Sequence, residues 1–388
     1  MTRPLTVMLI AGEASGDNLG AGLAAAIRKR RPDVRFVGVG GRKMAEQGVE
    51  SPFDIAELSI FGFVDALKAA PRVKRRIAET VALAERENPD AVVLIDSWGY
   101  TYRVAKALKA SRPDLLLIKY VAPQVWASRP KRADALAKVV DHLLAILPMD
   151  LPFFEKAGLP TTFVGNPVLA QDFDAVDPAP LRRKVGAKAN DPILLVLPGS
   201  RPSEVSRLSG PFEDALKRLK QSHPGLTILI GAADTVGEQV RAFAAGLPFR
   251  THLIEDEASR RQAMKAATVA LAASGTVSTE LALAGAPMVI AYRLGPITHQ
   301  IVKRIVTTRW ATLFNNAAQD WVAPEFLQYD CTGEKLAAAV AERLDDPELR
   351  RRQVERQFEA LDLMGREAGE PSDRAAETVL GLIDARRA

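Results

Sequence analysis

Twice in this chain an apolar run breaks directly into a glycine-bearing turn that opens a helix, once near the start and once near the middle. The first is Leu9-Ile10-Ala11-Gly12-Glu13-Ala14-Ser15-Gly16-Asp17. The second is Leu195-Val196-Leu197-Pro198-Gly199-Ser200-Arg201-Pro202-Ser203-Glu204. A buried strand that passes through small residues into a capped helix leaves free backbone N–H groups at the helix start, and these favour phosphate. One such unit in each half of the chain predicts a cleft with a wall from each half, suited to a phosphorylated sugar.

Between these landmarks, short β-branched runs alternate with helical stretches, the pattern of parallel sheets built from βα units. Strands are expected at Leu5–Ala11, Val34–Val39, Ala91–Asp96, Leu115–Val121, His142–Ile146 and Thr161–Val164, with a helix at Tyr100–Ala110. A second set is expected at Ile193–Leu197, Leu226–Ile230, His252–Ile254, Val269–Ala272 and Met288–Ala291. The pattern lapses at Gly165-Asn166-Pro167-Val168 and again from Asp172 to Pro180, where a linker is expected. The 388 residues suit two domains of about 150–200 residues each. Their expected extents are 1–167 and 168–364, with a last helix at about 365–388 crossing back to the first. No apolar run approaches the ~18 residues of a membrane span. Val7–Ala11 is too short for the core of a leader and reads as the first strand. The single cysteine, Cys331, excludes an internal disulfide and a multi-thiol metal site, and the cytosol is the expected compartment.

Charge is distributed unevenly. Residues 1–165 hold 24 Lys+Arg against 18 Asp+Glu, while the remainder holds 28 against 29. Local runs are Arg28-Lys29-Arg30-Arg31 and Arg72-Val73-Lys74-Arg75-Arg76. These are either solvated helix faces or an attraction to anionic lipid or a phosphorylated substrate. No motif with interleaved aromatics supports a nucleic-acid partner. Beside the second run, Ser59-Ile60-Phe61-Gly62-Phe63-Val64 offers two phenylalanines that fill a core, cradle acyl chains or dip into a bilayer. Met149, Phe153 and Phe154 read as core.

Four segments carry the chemistry. In the first turn, Ser15 or Asp17 is a candidate helix cap, and the full Gly-x-Gly-x-x-Gly spacing of a dinucleotide fold is absent. In the second, Arg201 adds a guanidinium that can pair two diphosphate oxygens at once, or pair with Glu204. In the third, Ala273-Ser274-Gly275-Thr276-Val277-Ser278-Thr279-Glu280, the residues Ser274, Gly275 and Thr276 can donate to phosphate at a helix start. Glu280 can accept from two ribose hydroxyls or make a local helix contact. Asp96, at the end of Val92-Val93-Leu94-Ile95, can act as general base for an alcohol or cap the next helix. The four histidines show no ligand spacing, so no metal is expected.

Together these motifs resemble the lipid-A-disaccharide synthase family of bacterial glycosyltransferases, glycosyltransferase family 19. The resemblance runs from about Leu5 to the final helices. It rests on Gly12–Asp17, Phe36–Gly41, Glu57–Gly62, Ile95–Ser97, Tyr120–Ala127, Leu197–Glu204, Ala273–Glu280, Pro287–Arg293 and Pro324–Gln328. It implies an α/β GT-B-type fold, two Rossmann-like parallel-sheet domains facing across a cleft, and a reaction that needs no cofactor or metal. The implied donor is UDP-2,3-diacylglucosamine and the acceptor 2,3-diacylglucosamine 1-phosphate. Transfer proceeds with inversion to the β-1,6-linked disaccharide 1-phosphate and UDP.

By the same resemblance, the second domain holds UDP through Arg201, Ser200, Ser274, Gly275, Thr276 and Glu280, with Asn315 at the cleft. The first holds the acceptor near Glu13, Ser15, Gly16 and Asp17, and Asp96 deprotonates its 6-hydroxyl. Phe61, Phe63, Arg72, Lys74, Arg75 and Arg76 face an anionic inner-membrane surface. Monomer or homodimer is left open. The chain departs from the family pattern at Trp98-Gly99-Tyr100-Thr101, where a second acid is missing, at Asn315–Asp320, at Asn166 and at Ser128. Two other readings of the scaffold are a non-hydrolysing UDP-sugar epimerase and a nucleotide-binding protein without turnover.

Overall fold

The computed structural model describes residues 3–58 and 63–387, without the side chains of 63–68 and 297. The chain divides into two units. Unit 1 runs to Pro167 and resumes at Glu367; unit 2 is Val168–Arg366.

Unit 1 contains β1 (Thr6–Ala11), α1 (Ala14–Arg30), β2 (Arg35–Val39), α2 (Arg42–Ala45), α3 (Phe63–Glu87), β3 (Ala91–Ile95), α4 (Trp98–Ser111) and β4 (Leu116–Tyr120). It continues through α5 (Arg132–Ala137), β5 (His142–Ala145), α6 (Leu151–Lys156) and β6 (Thr161–Phe163). The six strands form a parallel sheet in the order β2-β1-β3-β4-β5-β6. β1, β3 and β4 are buried along their whole length, because helices cover both sheet faces and alternate side chains enter different cores. Val7, Leu9, Val93 and Ile118 meet Leu23, Ala24 and Ile27 of α1 on one face. Met8, Ile10, Val92 and Leu94 meet Val104, Ala105 and Leu108 of α4 on the other.

Unit 2 contains α7 (Ala179–Val185), β7 (Ile193–Leu197), α8 (Pro202–Ser222), β8 (Thr227–Gly231), α9 (Gly237–Ala245), β9 (His252–Ile254), α10 (Glu257–Ala266) and β10 (Val269–Ala273). After these come α11 (Thr276–Leu283), β11 (Met288–Tyr292), α12 (Pro296–Ile305), α13 (Leu313–Ala318), β12 (Glu325–Leu327), α14 (Gly333–Asp345) and α15 (Pro347–Leu363). Its parallel sheet has the order β12-β11-β10-β7-β8-β9. The three-residue edge strand β12 was not expected from the sequence. It is half-buried and carries no apolar run, so no periodic signal marks it.

The chain then returns to unit 1 as α16 (Pro371–Arg387). Ala375, Ala376, Val379 and Ile383 join the core face occupied by α1. Arg30 pairs with Asp373 and Arg31 with Asp384, each at 2.6 Å. Part of the first basic run is therefore neutralised by the tail.

Candidate active site

In both sheets the chain order reverses beside one strand, since β1 lies between β2 and β3, and β7 lies between β8 and β10. At such a point successive loops leave toward opposite faces, and a crevice opens at the carboxyl ends of the strands. The segments singled out in the sequence follow β1 and β3 in unit 1, and β7 and β10 in unit 2.

In unit 1, Asp96 and Ser97 leave β3 with left-handed backbones, φ 48° and 41°. Such conformations cost non-glycine residues of order 1–3 kcal/mol each and persist only where the surroundings impose them. Several contacts impose them here. The Asp96 N–H donates to the Tyr120 carbonyl at 2.9 Å. Thr101 Oγ1 donates to the Asp96 carbonyl at 2.7 Å, and the Lys119 ammonium donates to the same oxygen. The Asp96 carboxylate thus stands free of helix capping and accepts from Ser15 Oγ at 2.9 Å. Gly12 makes room for the turn, since a Cβ there would lie 2.9 Å from Ser97 Oγ. Glu13 precedes α1 and is exposed, and Gly16 is buried.

Two ionisable groups at this sheet edge were missed by sequence reasoning. Lys119, one residue before the end of β4, is almost fully buried. Burial pushes its ammonium down to about 7, partly opposed by the Asp96 charge. A lysine embedded in the run Leu115–Tyr120 breaks the apolar pattern, and that was the available signal. Asp150, also buried, accepts from Trp126 Nε1 at 3.0 Å, and desolvation pushes its carboxyl up to about 7. Phe154 is core as expected, whereas Phe153 is 39 % exposed.

In unit 2, the two loops at the switch point enclose a cavity of about 200 Å³. Ser200, Ser274, Gly275, Thr276 and Glu280, all named from sequence, line it, and Arg260 of α10 joins them. Arg260 Nε is buried and has no hydrogen-bond partner. Glu280 is held by Gln171, whose Nε2 donates to it at 3.2 Å. Ser274 Oγ donates to the Ala311 carbonyl at 3.2 Å.

Several expectations need correction. The amides of the second turn are not open to phosphate, because Ser200 N–H and Arg201 N–H donate to the buried Glu204 carboxylate at 3.1 and 3.3 Å. Gly199, at φ 119°, permits this, since a Cβ there would sit 2.7 Å from Glu204. Arg201 also pairs with Glu204 at 2.8 Å, yet its side chain is 61 % exposed and can swing away. Asn315 is fully buried and bonds to Ala323, Glu325 and Val322, so it braces the segment before β12. Neither Ser15 nor Asp17 caps α1, because both lie within it. Asp17 instead accepts from the N–H groups of Gly41, Lys43 and Met44 and caps α2, so its carboxylate is already occupied.

The expected membrane-facing set is described in part. Phe61 lies outside the described residues, and Phe63 opens α3 with its side chain outside the description. Arg76 is held by Glu57 and Glu79 at 2.6 Å each, and Arg75 approaches the same two acids. Arg72 and Lys74 stay exposed.

Residues 7–379 match the lipid-A-disaccharide synthetase family. The chain belongs to that family. Lipid-A-disaccharide synthases of Rhodospirillum centenum and Ruegeria pomeroyi are each 42 % identical to it. They match over 99 % and 98 % of this chain, and over 96 % of each relative. It is accordingly a glycosyltransferase of lipid A biosynthesis. Among solved structures, a UDP-N-acetylglucosamine 2-epimerase from Neisseria meningitidis is similar at TM-score 0.64 and 11 % identity, covering 97 % of this chain and 100 % of that one. MurG of Acinetobacter baumannii is similar at TM-score 0.57 and 17 % identity, covering 98 % and 100 %. At these identities the likeness speaks for the fold, a GT-B-type pair of Rossmann-like units. Membership in the lipid-A-disaccharide synthetase family does not favour the epimerase reading.

Proposed function

We propose that this chain transfers 2,3-diacylglucosamine from its UDP ester to the 6-hydroxyl of 2,3-diacylglucosamine 1-phosphate. The acceptor O6 attacks the anomeric carbon with inversion, and Asp96 takes the hydroxyl proton. The bond from that carbon to the diphosphate oxygen breaks, and UDP departs with the electron pair. The observation that carries this division of labour is the placement of reactive groups. A carboxylate oriented by Ser15 stands at the switch point of unit 1, and a slot with many small residues at that of unit 2.

Ser15 orients the Asp96 carboxylate, and Lys119 with Thr101 holds the turn that carries it. In unit 2, Glu280 receives the ribose hydroxyls. Gly275 and Thr276 at the start of α11 meet the phosphates, helped by the helix dipole. Arg260 and, after release from Glu204, Arg201 balance the charge that grows on the leaving diphosphate. Positive field from the protein's own groups makes a metal unnecessary in this scheme.

Because both substrates are diacylated, we place the enzyme peripherally on the cytoplasmic face of the inner membrane. Among the described residues no helix is long and apolar enough to cross a membrane. The deciding experiment incubates pure protein with the UDP-linked and 1-phosphate lipids and seeks the disaccharide 1-phosphate by mass spectrometry. Release of UDP without the disaccharide would refute the reading.

A further inference from the structure

Helix α12 stands on unit 2 with none of its described residues buried. Ile301 is 49 % exposed, and Val306, just past the helix end, is 39 % exposed. Residues four apart share a helix face, so Ile301 and Ile305 form one apolar stripe, with Lys303 and Arg304 on the remaining surface. The patch extends to Tyr329, 83 % exposed, whose ring meets that of His299 edge-on at 5.9 Å.

Along the chain the segment that carries α12 bears cations only, while the Glu325 carboxylate accepts from the Ala311 and Thr312 N–H groups beyond it and Asp330 follows Tyr329. No Asp or Glu occurs between Glu280 and Asp320. Among the described residues, Lys303, Arg304 and Arg309 make no ion pair, and Arg309 rests on the Trp310 ring at 5.3 Å. In the basic runs of unit 1, Arg30, Arg31 and Arg76 are each bonded to a carboxylate, while Arg72 and Lys74 stay exposed. The net positive charge of the first half is therefore partly cancelled within unit 1. On unit 2, Lys303 and Arg304 of α12 and Arg309 beyond it are exposed cations too, beside the exposed Ile301 and Val306.

A short amphipathic helix with branched aliphatics on one side and Lys or Arg on the flank lies in the plane of a bilayer interface. Its apolar face enters the acyl boundary and its cations reach the phosphates. We infer that α12, with Tyr329 beside it, is the surface by which unit 2 rests on an anionic lipid bilayer. Ile301 and Val306 enter the acyl boundary, and Lys303, Arg304 and Arg309 meet lipid phosphates. Charge complementarity selects the occupant, because the excess of Lys303, Arg304 and Arg309 on this segment repels basic partners and gains from a continuous anionic sheet. The inference deepens the membrane setting proposed above, and its test is independent of turnover.

The test is co-sedimentation of the full chain with phosphatidylglycerol–phosphatidylethanolamine vesicles and with phosphatidylcholine vesicles, at low and high salt. The variants are Lys303→Ala/Arg304→Ala/Arg309→Ala, Ile301→Ser/Val306→Ser and, for comparison, Arg72→Ala/Lys74→Ala, each checked for native circular dichroism. The wild type should bind the anionic vesicles and release them in salt. The triple variant should bind about 100-fold more weakly, at roughly fivefold per cation lost. The apolar pair should lose about tenfold. The unit 1 pair should lose less than the triple variant. Wild-type binding by the triple variant, or no binding by the wild type, would overturn the inference. So would unchanged vesicle binding with a raised KM for the acylated sugars, which would mark α12 as a cradle for substrate chains. Absence of disaccharide formation by the wild type, with its salt-sensitive vesicle binding intact and that of the triple variant lost, would count against the reaction assigned above and leave α12 standing.

Discussion

The two sheets share one construction and use it in opposite ways. At the switch point of unit 1 the chain accepts strain, with Asp96, Ser97 and, at the end of β4, Val121 in left-handed backbone (φ 48°, 41° and 74°). At the switch point of unit 2 the corresponding turn uses Gly199 for its positive φ, and small residues such as Gly231, Ala232, Ala273, Ser274 and Gly275 leave room between the polar Arg260 and Glu280. Strained non-glycine residues fix a side chain in space and suit a reacting carboxylate. Small residues leave an empty slot and suit a ligand that supplies its own bulk. Rigid presentation on one sheet and open space on the other are what a transfer from a bound donor to an activated alcohol requires.

This contrast can be broken at its strongest point first. Asp96→Asn should lower transfer by about 10²–10⁴-fold, the range expected for a positioned general base. UDP affinity, measured by calorimetry, should stay at the wild-type value. Undiminished product would remove Asp96 from the chemistry. Arg201→Ala should lower turnover by roughly 10²–10³-fold if the guanidinium leaves Glu204 to meet the departing diphosphate. A loss of only a few-fold would confine Arg201 to the turn.

The support beneath Asp96 has its own signature. Lys119 is pushed from 10.5 to about 7 in the folded chain, so the unfolded state binds the extra proton between those values. Stability therefore rises with pH across that window. Denaturation of Lys119→Met from pH 7 upward should lack that rise, while an unaltered slope would show that the amine is not buried as described. The smallest effect is expected in unit 2, where Gln171→Leu should weaken UDP binding by about three- to tenfold, as one hydrogen bond to Glu280 is lost. No change would mean that Glu280 holds its position unaided.

Much of this was legible in the residues. Runs such as Leu5–Ala11 and Ile193–Leu197 announce strands buried on both faces, and the glycine turns that follow locate the loops on which both candidate sites stand. Ser200, Ser274, Gly275, Thr276 and Glu280 were named together and line one cavity. What could not be read was which polar groups were already engaged. Asn315, Asp17 and Arg76 look like binding residues in a line of letters. In the fold their partners lie at Ala323, at Gly41 to Met44 and at Glu57.

The sequence by itself determined the fold class, the family and the loops that matter, because periodicity and turn chemistry are local and survive in one dimension. Only the tertiary structure decided the free or occupied state of each charge. A hydrogen bond or ion pair depends on an approach of a few ångströms between segments far apart in the chain. That is why Lys119 came to lie under Asp96, why α16 neutralised Arg30 and Arg31, and why α12 kept its cations.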